Sequence, residues 1–145
     1  MLGISIIFVF HWSGIPSGLQ SMYPSEVAED SETYSRTCST SNYYYETIRV
    51  KVVETGWYVF SSTSNINTYG YIYKSNFNPF NPSENLLLED DDTSCEPHQF
   101  QLITYLQTNT RYILVVTTFS PEVTGEFSIF VFGPNKVYLK SFGEY

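Results

Sequence analysis

The chain has 145 residues, enough for one hydrophobic core and not for two. Aromatic residues make up 18% of it, led by 13 Tyr and 11 Phe, against 15% charged residues, a composition suited to strands rather than helices. Seven Lys and Arg against 15 Asp and Glu leave a net charge of -8, and the resulting field repels phosphate backbones and anionic lipid, which argues against nucleic acid as a partner.

Residues 1–12, MLGISIIFVFHW, form an apolar terminal stretch. The run is too short for a membrane-spanning helix, which needs roughly 20 apolar residues, so no membrane span is expected. A secretory signal would need a basic start and a small-x-small cleavage site, and neither is present. Read with period two, Ile4, Ile6, Phe8 and Phe10 fall on one side of a strand. Three readings stay open: a truncated signal remnant, a strand of the parent domain, or a strand donated to a neighbouring copy. Residues 13–42 are rich in Ser, Gly, Pro and acid and read as an extended arm, long enough to give a donated strand its reach.

From Tyr43 the apolar positions become regular. Ile48, Val50 and Val52 alternate with Arg49 and Lys51, and Glu54-Thr55-Gly56 leads into WYVFSS, so this pair reads as a hairpin. TYGYIYKS, residues 68–75, puts Tyr69, Tyr71 and Tyr73 on one face, and a long loop with two Asn-Pro steps follows. LLLE at 86–89 is a short strand ending in acid. QFQLITYL at 99–106 sets Phe100, Leu102 and Thr104 on one side, while RYILVVTTF at 111–119 is apolar throughout and reads as a central strand. FSIFVFG at 127–133 alternates Phe127, Ile129 and Val131 against Ser128, Phe130 and Phe132, which leaves Phe130 and Phe132 on the face expected to meet solvent. Seven or eight short strands at such intervals predict an all-β, antiparallel jelly-roll-like sandwich. The tail at 135–145 alternates Val137 and Leu139 against Tyr138 and Lys140 and reads as a separate extended segment.

The succession YYYETIRVKVVETGWYVFSSTS, NTYGYIYKSNF, NLLLEDDD, QFQLITYLQTNTRYILVVTT and VTGEFSIFVFGP resembles the bacterial pre-peptidase C-terminal domain family over residues 43–134. The resemblance implies an extracellular, non-catalytic sandwich appended to or repeated within larger secreted proteins. It does not cover residues 1–42. Asn67 stands where that family often has an acidic residue, which removes a possible charged ligand.

Candidate chemistry is sparse. Asp90, Asp91 and Asp92 are the best metal candidates, since clustered carboxylates suit Ca²⁺, although neighbouring strand residues point to opposite faces. Otherwise no cofactor is expected. His11 and His98 adjoin no recognisable nucleophile, and hydrolase and phosphate-loop motifs are missing, so no catalytic residue is assigned and the chain does not read as an enzyme. Cys38 and Cys95 read as one disulfide, contributing on the order of 4 kcal/mol by closing a long loop and pointing to an extracellular or cell-surface setting.

Two functional expectations follow. The first is a secreted structural module that assembles with copies of itself into a filament by donating its N-terminal strand, using Ile4, Ile6, Phe8, Phe10, Phe130, Phe132, Val137 and Leu139. The second is a glycan-binding or adhesion module with Tyr69, Tyr71, Tyr73 and Trp57 as its aromatic platform.

Overall fold

The computed structural model describes residues 8–12, 15–36, 41–90 and 99–142. Twelve strands occur among them: β1 (Phe8–Trp12), β2 (Ile15–Val27), β3 (Thr33–Tyr34), β4 (Tyr43–Tyr44), β5 (Glu46–Val52), β6 (Gly56–Ser64), β7 (Thr68–Lys74), β8 (Leu86–Asp90), β9 (Gln101–Leu106), β10 (Tyr112–Thr118), β11 (Gly125–Gly133) and β12 (Val137–Ser141). They build two antiparallel five-stranded sheets, sheet I in the order β1-β2-β11-β6-β9 and sheet II in the order β12-β5-β10-β7-β8, with β3 and β4 as a small separate pair. Without edge strands β1 and β12, the orders 2-11-6-9 and 5-10-7-8 are those of a jelly roll, in which the chain crosses repeatedly from one sheet to the other.

The core forms where the inward residues of both sheets meet. Tyr58, Phe60, Leu102, Ile129 and Val131 of sheet I pack against Ile48, Ile72, Leu114 and Val116 of sheet II. β10 lies at the centre of sheet II and is buried along its whole length, as its apolar run predicts. Ser62, Thr68 and Gln99 form a buried polar knot among these residues. The Ser62 hydroxyl lies 2.6 Å from that of Thr68, donates to Gln99 Oε1 at 3.0 Å and accepts the Phe100 N–H at 3.0 Å. It ties β6 to β7 and to the approach of β9, so these buried polar atoms do not go unsatisfied.

Three expectations are corrected here. β5 and β6 do not form a hairpin: β5 pairs with β10 and β12, and β6 with β11 and β9, in opposite sheets. Alternation alone cannot separate a hairpin from a crossover, because both place an apolar face inward. Residues 13–42 are not simply an arm, since β2 pairs with β11 from Leu19↔Gly133 to Val27↔Gly125 and buries Tyr23 and Val27. Gly18 and Pro24 make this strand look like a linker. Yet Pro24 lies beyond Phe8↔Gln20, the last pair with β1 among the described residues, where β2 has no described partner but β11 and a residue lacking N–H is tolerated. The C-terminal segment is no separate tail either: β12 pairs with β5, Val137 is buried in the core, and the Val137 N–H donates to Ser21 Oγ at 3.1 Å across the two sheets.

The N-terminal strand is placed by its backbone. Phe8 pairs with Gln20 and Phe10 with Gly18 of the same chain, so β1 forms the edge of sheet I beside β2. Ile4 and Ile6 lie outside the described residues.

Candidate functional site

The two outward faces of the sandwich differ. On sheet II the outer face is covered by its own chain. Tyr71, Tyr73, Ile113 and Val115 are buried beneath Tyr34, Tyr45 and Phe77, which come from the segment around β3 and β4 and from the loop after β7. Tyr69 and Tyr71 stack at 4.9 Å, Tyr73 meets Phe77 at 4.9 Å, and Tyr34 meets Tyr45 edge-on at 5.0 Å. Arg36 fastens this cover. Its guanidinium lies 4.1 Å from the Tyr43 ring centroid and 4.6 Å from that of Tyr69, and it donates to the carbonyls of Thr118 and Phe119. Burial raises the phenol pKa values of Tyr34, Tyr45, Tyr71 and Tyr73, with the Glu32 carboxylate, which accepts the Tyr45 hydroxyl at 2.7 Å, adding to the shift of Tyr45.

Tyr71 and Tyr73 therefore present no open platform, and Trp57 belongs to the other sheet. The residues named for a glycan platform are split between opposite sides of the sandwich.

Among the described residues no segment covers the outer face of sheet I as the Arg36 segment covers sheet II. Strand alternation sends Tyr58, Phe60, Ile129, Val131, Leu102 and Leu106 inward, which turns Trp57, Val59, Phe130, Phe132, Ile103 and Tyr105 outward. Register lines them up in rows: Tyr105 opposite Trp57, and Ile103 opposite Val59, which is opposite Phe132, which is opposite Gln20. A third row runs Gln101, Ser61, Phe130 and Met22. Trp57 is 65% exposed, Ile103 56%, Tyr105 49% and Phe132 40%, so the rows form an apolar surface rather than a scatter of single side chains. The Phe132 ring lies over Gly18, where any Cβ would overlap it, so a glycine in β2 lets the ring lie flat across the neighbouring strand. None of the residues in these rows is charged. On the same outward face, Glu26 and Glu126 stand opposite each other at the far end of the β2–β11 pair.

Sequence reasoning placed Phe130 and Phe132 on the outward face, but it missed Ile103 and Tyr105. Their signal was present, since they alternate with Phe100, Leu102 and Thr104 and make β9 apolar on both sides. Val137 faces the core and Leu139 packs against it, so neither belongs to this surface. Asp90 ends β8, while Asp91, Asp92, Cys38 and Cys95 lie outside the described residues. Among the described residues no group of three or more His, Cys, Asp or Glu is placed to hold a metal ion, and no helix is long and apolar enough to cross a membrane.

No protein-family profile matches the chain, and no curated protein matches it.

Proposed function

We propose that this chain is a non-catalytic, exported structural module, similar in kind to the pre-peptidase C-terminal domains, that assembles with copies of itself through sheet I. The reading is carried by the charge-free surface of Trp57, Ile103, Tyr105 and Phe132. On a chain of net charge -8, two copies repel each other over most approaches, and contact costs least at the part of a face that holds no carboxylate, away from the Glu26–Glu126 end of sheet I. Burying these side chains against a second copy gains about 1.5 to 3 kcal/mol for each one fully desolvated, against the entropy of association. Sedimentation velocity over a concentration series tests this. Species larger than the monomer grow with concentration in the natural protein and diminish in Trp57→Ser/Phe132→Ser, whereas a monomer at every concentration would refute the reading.

A second reading, glycan binding, has its own observation. Trp57 and Tyr105 form an exposed T-shaped pair with ring centroids 5.5 Å apart, and such rings suit stacking on sugar faces. Saturable quenching of Trp57 fluorescence by oligosaccharides, lost in Tyr105→Ala, supports it. A flat titration removes it.

A further inference from the structure

Packing of the sheet I face onto its copy is isologous and closes at a dimer, so it cannot by itself propagate a fibre. The edges of the sandwich supply a different contact. We infer that copies join head to tail along their strand edges, with β1 of one molecule adding to the β9 edge of the next, so that sheet I continues from copy to copy. This rests on the self-assembly reading above and names the junction it would use.

The four edges are not alike. In sheet I the edge strands are β1, FVFHW, and β9, QLITYL, of five and six residues, and neither contains Asp, Glu, Lys, Arg or Pro. Among the described residues no strand pairs with their outer sides. Uncharged edges without proline lack the devices that keep sheets from joining. In sheet II the edges carry charge: β12 holds Lys140, beside Arg49 and Lys51 of β5, and β8 ends in Glu89-Asp90.

Position then decides which edges meet. β12 lies over β2 on one flank, and β8 lies over β9 on the other. Placing β1 against β9 of a neighbour therefore brings the basic β12 edge toward the acidic β8 edge. Pairing β9 with β9 would instead bring two β8 edges together, acid against acid, and pairing β1 with β1 would oppose two lysine-bearing β12 edges. Register puts Lys140 opposite Arg49 and Glu89 opposite Tyr71, so both charges stand on the outer face of sheet II. Two cations lie near β8: Lys74, whose N–H donates to the Asn85 carbonyl just before it, and Arg36, 5.9 Å from the ring of Tyr71, the residue opposite Glu89. Apolar edges in one sheet and opposite charges in the other favour the same head-to-tail junction.

With five strands and every neighbouring pair antiparallel, β1 and β9 run in the same direction. A neighbour in the same orientation thus meets β9 with a parallel β1, and the Trp57 faces of successive copies stay on one side. The junction is heterologous and does not close, the geometry of a filament.

The test uses two full-length variants, Phe8→Lys to charge the β1 edge and Ile103→Lys to charge the β9 edge, each checked for native circular dichroism and cooperative unfolding. Lys140→Glu, at an exposed position on neither of those strands, provides a third probe. By sedimentation velocity, in a Trp57→Ser/Phe132→Ser background that removes the face contact, each edge variant alone stays monomeric, and an equimolar mixture gives a one-to-one heterodimer that grows no further. In the otherwise natural chain Lys140→Glu weakens assembly by roughly two- to fivefold, and Glu89→Lys does the same. A Phe8→Lys dimer that persists in the Trp57→Ser/Phe132→Ser background would reveal a β9–β9 contact and overturn the inference, as would undiminished polymers of Ile103→Lys. If the natural protein assembles but the mixed variants do not combine, the edge junction is wrong and the self-assembly reading survives; if the natural protein never assembles, that reading fails first.

Discussion

Trp57 and Tyr105 stand opposite each other across the β6–β9 ladder, their planes inclined at 62°, on a face where neither has a covering strand or loop among the described residues. On the other side of the sandwich, Tyr71 and Tyr73 are just as aromatic but lie beneath the Arg36 segment and Phe77. One sheet hides its outer aromatics and the other displays them, and that asymmetry is what supports the proposal of sheet I as a contact surface.

The cover over sheet II depends on Arg36. Arg36→Ala removes the stacked cation and the donors to the Thr118 and Phe119 carbonyls, and should lower stability by about 1 to 3 kcal/mol in urea unfolding. Arg36→Lys should restore only part of this, since an ammonium cannot donate as a planar fork while lying flat on Tyr43. Equal stability of all three proteins would show that the segment is held by other contacts.

The polar knot predicts a cost without a cavity. Ser62→Ala leaves the buried Phe100 N–H without its acceptor and should destabilise by about 1 to 3 kcal/mol. Native-state hydrogen exchange should show the loss at Phe100 first. Unchanged exchange there would contradict the role given to the Ser62 hydroxyl.

Glycines at two close approaches should respond differently. In Gly133→Ala the new methyl meets the ring of Tyr58, which is fully buried, and overpacking there should cost about 1 to 3 kcal/mol. In Gly18→Ala it meets Phe132, which is 40% exposed rather than buried, so thermal unfolding should move less. A reversed order would mean that the Phe132 ring is held more firmly than its exposure implies.

Alkaline pH should unfold the protein through its tyrosines. Burial raises the pKa of Tyr58 to about 12 and those of Tyr34, Tyr45, Tyr71 and Tyr73 above the ordinary value of 10.0. Between the unfolded and folded values the native state holds more protons, so stability is complete below about 10 and falls as pH rises through the folded values. Tyrosinate absorbance should rise together with loss of the fold rather than before it. Full ionisation of these phenols in a still-folded protein would refute their burial.

Much of this fold was legible in the chain because alternation is a local signal. The full burial of β10 and the two-faced pattern of Phe127 to Phe132 follow directly from their residues. Partnership is not local, which is why β5 and β6 read as a hairpin although they lie in different sheets. β2 was hidden because a strand that packs Ser21 inside, sets Gly18 beneath the outward Phe132 ring and carries Pro24 has the composition of a linker. The tyrosines of β7 could not be sorted from Trp57 by sequence, since whether an outward face is open depends on where distant segments such as that of Arg36 come to rest. Phe130 and Phe132 were visible as candidates; their neighbours Ile103 and Tyr105 become so only once β9 is placed beside β6.

Hydroxyl-radical footprinting of the natural protein, at concentrations spanning its assembly, tests the contact surface most directly. Oxidation of Trp57, Tyr105 and Phe132 should fall as assembly proceeds, while that of Phe80, in the loop outside sheet I, stays constant. Steady oxidation of Trp57 and Tyr105 in assembled material would contradict assembly through sheet I.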